Sequence, residues 1–248
     1  MKVGIFGDSY AAAQPSTIGS WQYYLKNLYG NGVSIENFGV GGSSLYYSYK
    51  KFLNNKDKFD TIIFIATEPH RYPIPFTISW NKQTHYITSV RHIEQIELHS
   101  AKLFKLLTEE EKLFLQNLKG WFNASNEIYN DDIRDIILHQ VLSLHNNILL
   151  YPSFINSFNL KMFDKINLDP YDHPMHSFWH RQLEKLGIDS SNFTAGEKTT
   201  LNNHLTPEYN EFIANVFYKK LTKNTWDFTG IDDINIQLPK THYYSNWD

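Results

Sequence analysis

The sequence predicts an α/β fold in which helices flank a three-layer parallel sheet. Three short strand-like segments alternate with helical segments inside the first 70 residues. Residues 61–66 (TIIFIA) are almost wholly apolar and mostly β-branched, as expected of a strand that helices cover on both faces. Strands and helices that alternate in this way favour a parallel sheet with right-handed crossovers.

The strands end at turns that contain glycine or proline. Residues 2–6 (KVGIF) stop at Gly7-Asp8-Ser9, and residues 33–38 (VSIENF) run into Gly39-Val40-Gly41-Gly42. Residues 147–151 (NILLY), before Pro152, predict a fourth strand. Since open α/β sheets place their active sites at the carboxyl ends of their strands, these turns are where functional side chains are expected.

Helical spacing dominates two later parts of the chain. Between about residues 90 and 145 the apolar side chains form stripes of helical period, which predicts a long helical insertion. Residues 207–221 predict a final amphipathic helix, with Pro207 just inside its start. We therefore predict one domain over residues 1–225 and an extended C-terminal tail over residues 226–248.

The composition excludes several classes of function. The net charge is −3 and the basic residues are scattered, so a nucleic-acid partner is not expected. The chain contains no cysteine, which excludes disulfides and thiolate chemistry. No window approaches the roughly 20 apolar residues of a membrane span, and the apolar stretch at the N-terminus is too short for a signal peptide. We expect a cytoplasmic protein with no membrane partner and no cofactor.

Ser9 is the first candidate for chemistry. A serine hydroxyl becomes a nucleophile when a base takes its proton and fixed donors meet the developing oxyanion. A tight turn between a strand and a helix can serve both needs. The alternative interpretation is that Ser9 only caps a helix, which is a common role for serine in such a turn.

Three segments resemble the sequence blocks of the SGNH (GDSL-like) hydrolases. IFGDSY resembles the first block, NFGVGGSS resembles the second, and NHLTPEYNEFIA resembles the block that carries the catalytic histidine. They occur in the family's order and cover roughly the first 70 residues and residues 147–221. The resemblance implies an SGNH/flavodoxin-like α/β fold and a serine hydrolase.

The resemblance assigns roles to individual residues. It implies that Ser9 is the nucleophile and His204 its general base. It implies that the backbone N–H groups of Ser9 and Gly42 donate to the oxyanion, with Gly41 as the next choice for the second donor. The alternatives are a turn that merely needs positive φ at Gly42 and a surface or core histidine at position 204.

The chain departs from the family pattern after the third strand. The family has Gly-x-Asn-Asp there, and its asparagine is the third oxyanion donor. This chain has TEPHR over residues 67–71, so Thr67, His70 or Arg71 would have to replace that donor. Arg71 could instead bind a carboxylate of the substrate or pair with a surface acid.

A second departure concerns the triad acid. The family places an aspartate three residues before the histidine, and Leu201 stands at that position here. Glu197 is the first candidate to replace it, because it shares the loop with His204, and Asp189 and Asp172 are further candidates. The remaining alternative is a Ser-His dyad in which a backbone carbonyl orients the imidazole.

A cluster of histidines suggests a metal site as an alternative interpretation. The cluster comprises His173, His176 and His180, with Asp169 and Asp172 nearby, and the spacing of His176 and His180 suits one helical face. No glutamate lies between them in the metalloprotease arrangement. We therefore favour a polar, aromatic-rich loop over the active site, in which Phe178 and Trp179 contact substrate, and we predict no metal.

Together these observations predict hydrolysis of a carboxylic ester through an acyl-enzyme. A small acyl group on a carbohydrate, or another small-molecule ester, is the expected substrate. A sugar O-acyltransferase and a non-catalytic protein that binds a glycan or a protein are the alternatives. A dinucleotide-binding protein is disfavoured, because the glycines at 39–42 lack the Gly-x-Gly-x-x-Gly spacing at the start of a helix.

Overall fold

The computed structural model describes residues 1–67, 74–77, 84–87, 107–124, 127–154, 173–188 and 202–237. Within these ranges the centre is a four-stranded sheet of order β2-β1-β3-β6, in which all neighbours are parallel. Its strands are β1 (Lys2–Phe6), β2 (Ser34–Asn37), β3 (Thr61–Ala66) and β6 (Ile148–Pro152). This sheet confirms the predicted fold class.

Helices complete the layers. They are α1 (Trp21–Tyr29), α2 (Leu45–Asn55), α3 (Glu109–Ala124), α4 (Glu127–Ser143), α5 (Met175–Lys185) and α6 (Pro207–Lys223). The helix α6 begins where the sequence predicted, with Thr206 as its N-cap and Pro207 in its first turn. The helices α3 and α4 fall within the stretch between residues 90 and 145 that was predicted to be helical.

The strand β3 carries the core on both of its faces, because successive side chains of a strand point to opposite sides. Ile63 and Ile65 join the cluster that contains Trp21 of α1 and Phe217 of α6. Ile62 and Phe64 join the opposite cluster, which contains side chains of α2 and α4. Every residue of β3 is buried, as its continuous apolar sequence predicted.

Two further segments lie outside the four-stranded sheet and the six helices of the described ranges. An antiparallel pair, β4 (Ile74–Thr77) and β5 (Thr84–Ile87), was not predicted from the sequence. Apolar side chains of residues 226–237, among them Trp226 and the buried Ile231, pack against the cluster of α1 and α6. The domain boundary at residue 225 stays a prediction.

Among the helices that the structure describes, none combines the length and the apolar character needed to cross a membrane.

Candidate active site

A 3₁₀ turn at Ser9–Ala11, here called the Ser9 turn, follows β1 at the carboxyl edge of the sheet. Asp8 caps it, because Oδ1 of Asp8 accepts a hydrogen bond of 3.0 Å from the backbone N–H of Tyr10. Ser9 is half-buried, whereas Tyr10 and Ala11 are buried. The helix α1 begins only at Trp21, with Ser20 as its N-cap. The capping roles therefore belong to Asp8 and Ser20, and not to Ser9.

Asp8 also ties this turn to the end of β6. Its side chain is fully buried, and Oδ1 accepts a second hydrogen bond of 3.0 Å from the hydroxyl of Ser153. Ser153 in turn donates its backbone N–H to the carbonyl of Ala66 at the end of β3. In the described part of the chain Oδ2 of Asp8 has no hydrogen-bond partner. The ends of three adjacent strands are thus joined directly behind Ser9.

The loop of residues 39–42, here called the glycine loop, packs directly on the Ser9 turn. The backbone N–H of Val40 donates to the carbonyl of Gly7 at 3.1 Å, and the hydroxyl of Ser43 donates to the same carbonyl at 3.1 Å. A Cβ atom at Gly39 would lie 2.4 Å from the carbonyl oxygen of Ala11. Only glycine at position 39 permits so close an approach of the two backbones.

Position 42 favours glycine because of its backbone conformation and not because a side chain would lack space. Its φ is +71°, and an added Cβ would meet no atom within 4 Å. The N–H of Ser43 closes the turn on the carbonyl of Val40 at 3.1 Å. Among the described residues, no hydrogen bond engages the backbone N–H of Ser9 or that of Gly42.

Another 3₁₀ turn, Asn202–His204, here called the His204 turn, lies against the Ser9 turn. The rings of Tyr10 and His204 meet edge to face, with their centroids 5.2 Å apart. The carbonyl of His204 accepts a 2.6 Å hydrogen bond from Nε2 of Gln182, and Oε1 of the same glutamine accepts the N–H of Thr206 at 2.9 Å. The fold thus brings together the two turns that carry Ser9 and His204, and the catalytic roles of both residues stay predictions.

The other predicted site residues are located only in part. Thr67 directly follows β3 and is fully buried, and its hydroxyl has no hydrogen-bond partner in the described part of the chain. A substrate oxygen would reach this hydroxyl only if neighbouring residues moved. The other candidate donors and acids lie outside the described residues, namely His70, Arg71, Asp172, Asp189 and Glu197.

His176 and His180 share one face of α5, as their spacing predicted. Their Nε2 atoms are 3.0 Å apart, and Nδ1 of His176 lies 2.8 Å from the hydroxyl of Tyr10. A line of hydrogen bonds therefore runs from the helix surface to the ring that packs on His204. Partial desolvation lowers the pKa of His180 from its ordinary value of 6.5.

No group of three metal-ligating side chains occurs among the residues that the structure describes. Asp169 and Asp172, which were considered with the histidines, lie outside those residues. The described hydrogen bond of His173 involves its backbone, whose carbonyl accepts from the hydroxyl of Tyr151.

The aromatic residues of α5 have different surroundings. Phe178 is fully buried in the core, so the predicted contact of Phe178 with substrate is wrong. Trp179 is only partly buried and stacks on the ring of His176, with an interplanar angle of 12° and centroids 5.1 Å apart. Phe154 lies on the same histidine at 5.0 Å. The predicted loop is therefore the helix α5. The contact of Trp179 with substrate stays a prediction.

No family model matches the chain, and no curated protein matches its sequence. Three solved structures are similar to it over most of its length. A protein assigned to the lipolytic G-D-S-L family from Desulfitobacterium hafniense is 12% identical with a TM-score of 0.35, and the match covers 88% of this chain and 98% of that one. An acetyl xylan esterase is 13% identical with a TM-score of 0.40, and the match covers 89% of this chain and 100% of the esterase. The lipase/acylhydrolase from Enterococcus faecalis is 11% identical with a TM-score of 0.37, and the match covers 91% of this chain and 98% of that one. Likeness at this level carries no argument about the reaction of this chain, which depends on its own residues.

The sequence analysis missed the polar side chains that hold the site together. Gln22 and Gln182 are buried in helices whose apolar period gives no reason to single out a glutamine. Asn203 precedes His204 directly and has a left-handed backbone with φ 55° and ψ 28°. Asparagine is one of the few residues that adopt this conformation readily, so its position before a candidate catalytic histidine was the available signal.

Proposed function

We propose that this chain is a serine ester hydrolase in which Ser9 is the nucleophile and His204 the general base. The observation that carries the proposal is the packing of the Ser9 turn between the His204 turn and the glycine loop at the carboxyl edge of the sheet. Nucleophile, base and candidate oxyanion donors thus come from three neighbouring turns. Such an arrangement meets the general requirements of acyl transfer.

The reaction has two halves. In the first, Oγ of Ser9 forms a bond to the ester carbon while His204 takes the hydroxyl proton. The N–H groups of Ser9 and Gly42 stabilise the oxyanion, and Thr67, His70 or Arg71 would supply a third donor. The C–O bond to the alcohol then breaks, and His204 returns the proton to the leaving alcohol. In the second half, His204 activates water, which releases the acid and restores the hydroxyl of Ser9.

A small acyl group on a carbohydrate is the proposed substrate. Trp179 and His176 are partly buried and offer flat ring surfaces beside Tyr10, which follows the nucleophile in the chain. Ligand sites typically combine such aromatic surfaces with a few fixed polar groups. Transfer of the acyl group to a sugar hydroxyl instead of water would make the same site an acyltransferase.

A non-catalytic binding protein is the second candidate, and one observation favours it. Leu201 stands where the related family has its triad acid, and no asparagine follows β3 at residues 67–71. A protein that only binds a glycan or a protein partner needs neither group. Its serine would have no activated hydroxyl, so reactivity of Ser9 separates the two candidates.

The hydrolysis of p-nitrophenyl acetate by four variants tests the proposal. Ser9→Ala and His204→Gln are expected to lose activity, while Ser143→Ala and His139→Gln are matched controls on α4 and are expected to hydrolyse like the wild type. Both control residues are exposed. A Ser9→Ala variant as active as the wild type would contradict the assignment of the nucleophile.

A further inference from the structure

We infer that two buried side-chain amides, those of Asn203 and Gln22, are positioning residues that hold the general base against the nucleophile. The inference rests on the proposed function, because it assigns a purpose to the contact between the Ser9 turn and the His204 turn. The resemblance assigns a role to neither amide, although Asn203 stands in the block that carries His204.

Asn203 joins the His204 turn to the segment that follows the Ser9 turn. Its side chain is buried, and its Oδ1 accepts a hydrogen bond of 2.9 Å from the backbone N–H of Ala13, four residues after Ser9. Its Nδ2 donates at 2.8 Å to Oε1 of Gln22. The residue next to the general base is therefore bonded through its side chain to the segment that carries the nucleophile.

Gln22 connects Asn203 to the end of the Ser9 turn. It is fully buried in α1, and its Nε2 donates at 3.0 Å to the carbonyl of Ala11, the last residue of the Ser9 turn. Asn203 and Gln22 thus form a circuit with Ala11 and Ala13 in which each amide both donates and accepts. Buried polar groups that are satisfied in this reciprocal way specify one geometry strongly.

Asn37 extends the circuit to the glycine loop. Its Nδ2 donates to the carbonyls of Ala11 and Ala13, both at 2.5 Å, and its Oδ1 accepts the N–H of Gly39 at 2.8 Å. The Ser9 turn, the His204 turn and the glycine loop are therefore all hydrogen-bonded to the backbone of residues 11–13. A shift of any one turn would break bonds to the other two.

The backbone of the His204 turn explains why it needs such support. Asn203 and His204 are consecutive residues with positive φ, 55° and 65°. Left-handed conformations are unfavourable for residues with a Cβ and persist where the surroundings impose them. Leu201 has no carboxylate to orient the imidazole as the family's triad acid would, so the backbone that carries the ring is one determinant of its direction. A displacement of about 1 Å at a reacting group can lower a rate about 10²-fold.

The decisive comparison is Asn203→Gly against Asn224→Gly. Asn224 caps the C-terminus of α6, is exposed, and has nearly the same backbone conformation, φ 55° and ψ 30°. Glycine keeps the left-handed backbone at both positions and removes only the side chain. The readouts are the second-order rate of labelling by a fluorophosphonate probe, kcat and KM for p-nitrophenyl acetate, and the melting temperature.

We expect Asn203→Gly to lower the labelling rate and kcat about 10-fold to 100-fold, with KM changed less than about twofold. Asn224→Gly should match the wild type in all three kinetic values. Gln22→Met should lower kcat as well, and the double variant should lose less than the product of the single losses, because both changes open one circuit. If Asn203→Gly does not fold, Asn203→Asp keeps the acceptor for the N–H of Ala13 and replaces the donor to Gln22 and Asn210 by a carboxylate oxygen.

Three outcomes would overturn the inference. If the wild type reacts with the probe and Asn203→Gly reacts equally fast, the amides do not position the base, and the proposed function stands. If the loss of labelling only follows the loss of folded protein, Asn203 serves stability alone. If the wild type itself does not react at Ser9 at any pH, the proposed function fails and the inference fails with it.

Discussion

The hydroxyl of Tyr10 lies 2.8 Å from Nδ1 of His176, and the ring of the same tyrosine packs edge to face on His204. The side chain of Tyr10, which follows Ser9 in the chain, thus contacts both His204 and the histidine pair of α5. The ring and the hydroxyl can be tested separately, because they make different contacts.

Tyr10→Phe keeps the ring and removes the hydrogen bond to His176. We expect it to lower the free energy of unfolding by about 1 kcal/mol, the usual net value of one such bond. The effect on kcat/KM should stay within about fivefold, because 1 kcal/mol corresponds to about a fivefold change in a rate or an equilibrium. Urea unfolding and hydrolysis of p-nitrophenyl acetate measure the two values.

Tyr10→Ala removes the ring as well and serves as the contrast. A large-to-small change at a buried aromatic residue costs about 3–5 kcal/mol, and here it also withdraws the surface on which His204 packs. We expect a much larger loss of kcat/KM than for Tyr10→Phe. Equal kinetic losses in both variants would mean that the hydroxyl, and not the ring, acts in the reaction.

His180 gives the stability of the protein a pH dependence. Desolvation lowers the pKa of folded His180 below 6.5, so the unfolded chain binds a proton more readily than the folded one. The contribution of the neutral imidazole is therefore fully present above pH 6.5 and is lost as the pH falls through the folded pKa. His180→Gln should remove this part of the dependence.

Urea unfolding of the wild type and of His180→Gln between pH 5 and pH 8 measures the effect. The difference in unfolding free energy between the two proteins should be constant above about pH 7 and change below pH 6.5. His139→Gln, on the exposed face of α4, is the control and should leave the dependence as in the wild type. A constant difference across the whole range would contradict a lowered pKa at His180.

Trp179 is expected to contribute to binding and not to chemistry. Its indole is partly buried and stacks on His176, and we propose that the part it leaves exposed binds a sugar ring. Trp179→Ala should raise KM for an acetylated oligosaccharide at least about tenfold, the loss of roughly 1.4 kcal/mol of binding. KM for p-nitrophenyl acetate should change less than about twofold. Equal changes in both KM values would contradict a carbohydrate surface at this position.

The missing triad acid leads to a prediction about three carboxylates. Disabling the acid of a full triad costs about 10⁴ in rate, whereas a dyad does not depend on one. Because Leu201 occupies the usual position, we expect a dyad, and Glu197→Gln, Asp189→Asn and Asp172→Asn should each change kcat/KM little. The values of kcat/KM on one activated ester decide the matter. A fall of more than about 10³ in one variant would overturn the dyad and identify the acid.

The fold was predictable where one physical signal dominates. The six apolar residues of β3 specify a strand buried on both faces, and Thr206 with Pro207 marks the start of α6 through two independent preferences of a helix N-terminus. The hairpin of β4 and β5 was not predicted, because Pro75 interrupts the first of two strands that are only four residues long.

Within the candidate site, the sequence singles out the residues that are proposed to react but not the residues proposed to position them. Ser9 and His204 carry a recognisable chemistry in a recognisable position, whereas Gln22 and Asn203 act through a contact between residues 181 positions apart. Such a contact leaves no periodic trace in the sequence. Phe178 was misplaced for a related reason: its neighbour Trp179 reaches the surface, and one helical step of about 100° turns Phe178 into the core.

The labelling of Ser9 by a fluorophosphonate probe tests the central claim most directly, because the probe reacts only with an activated serine. The wild type should gain the mass of one probe, peptide mapping should place the adduct on Ser9, and His204→Gln should slow the reaction about 10²-fold or more. Ser143→Ala should label like the wild type. An unlabelled wild-type protein, or an adduct on a serine other than Ser9, would contradict the account.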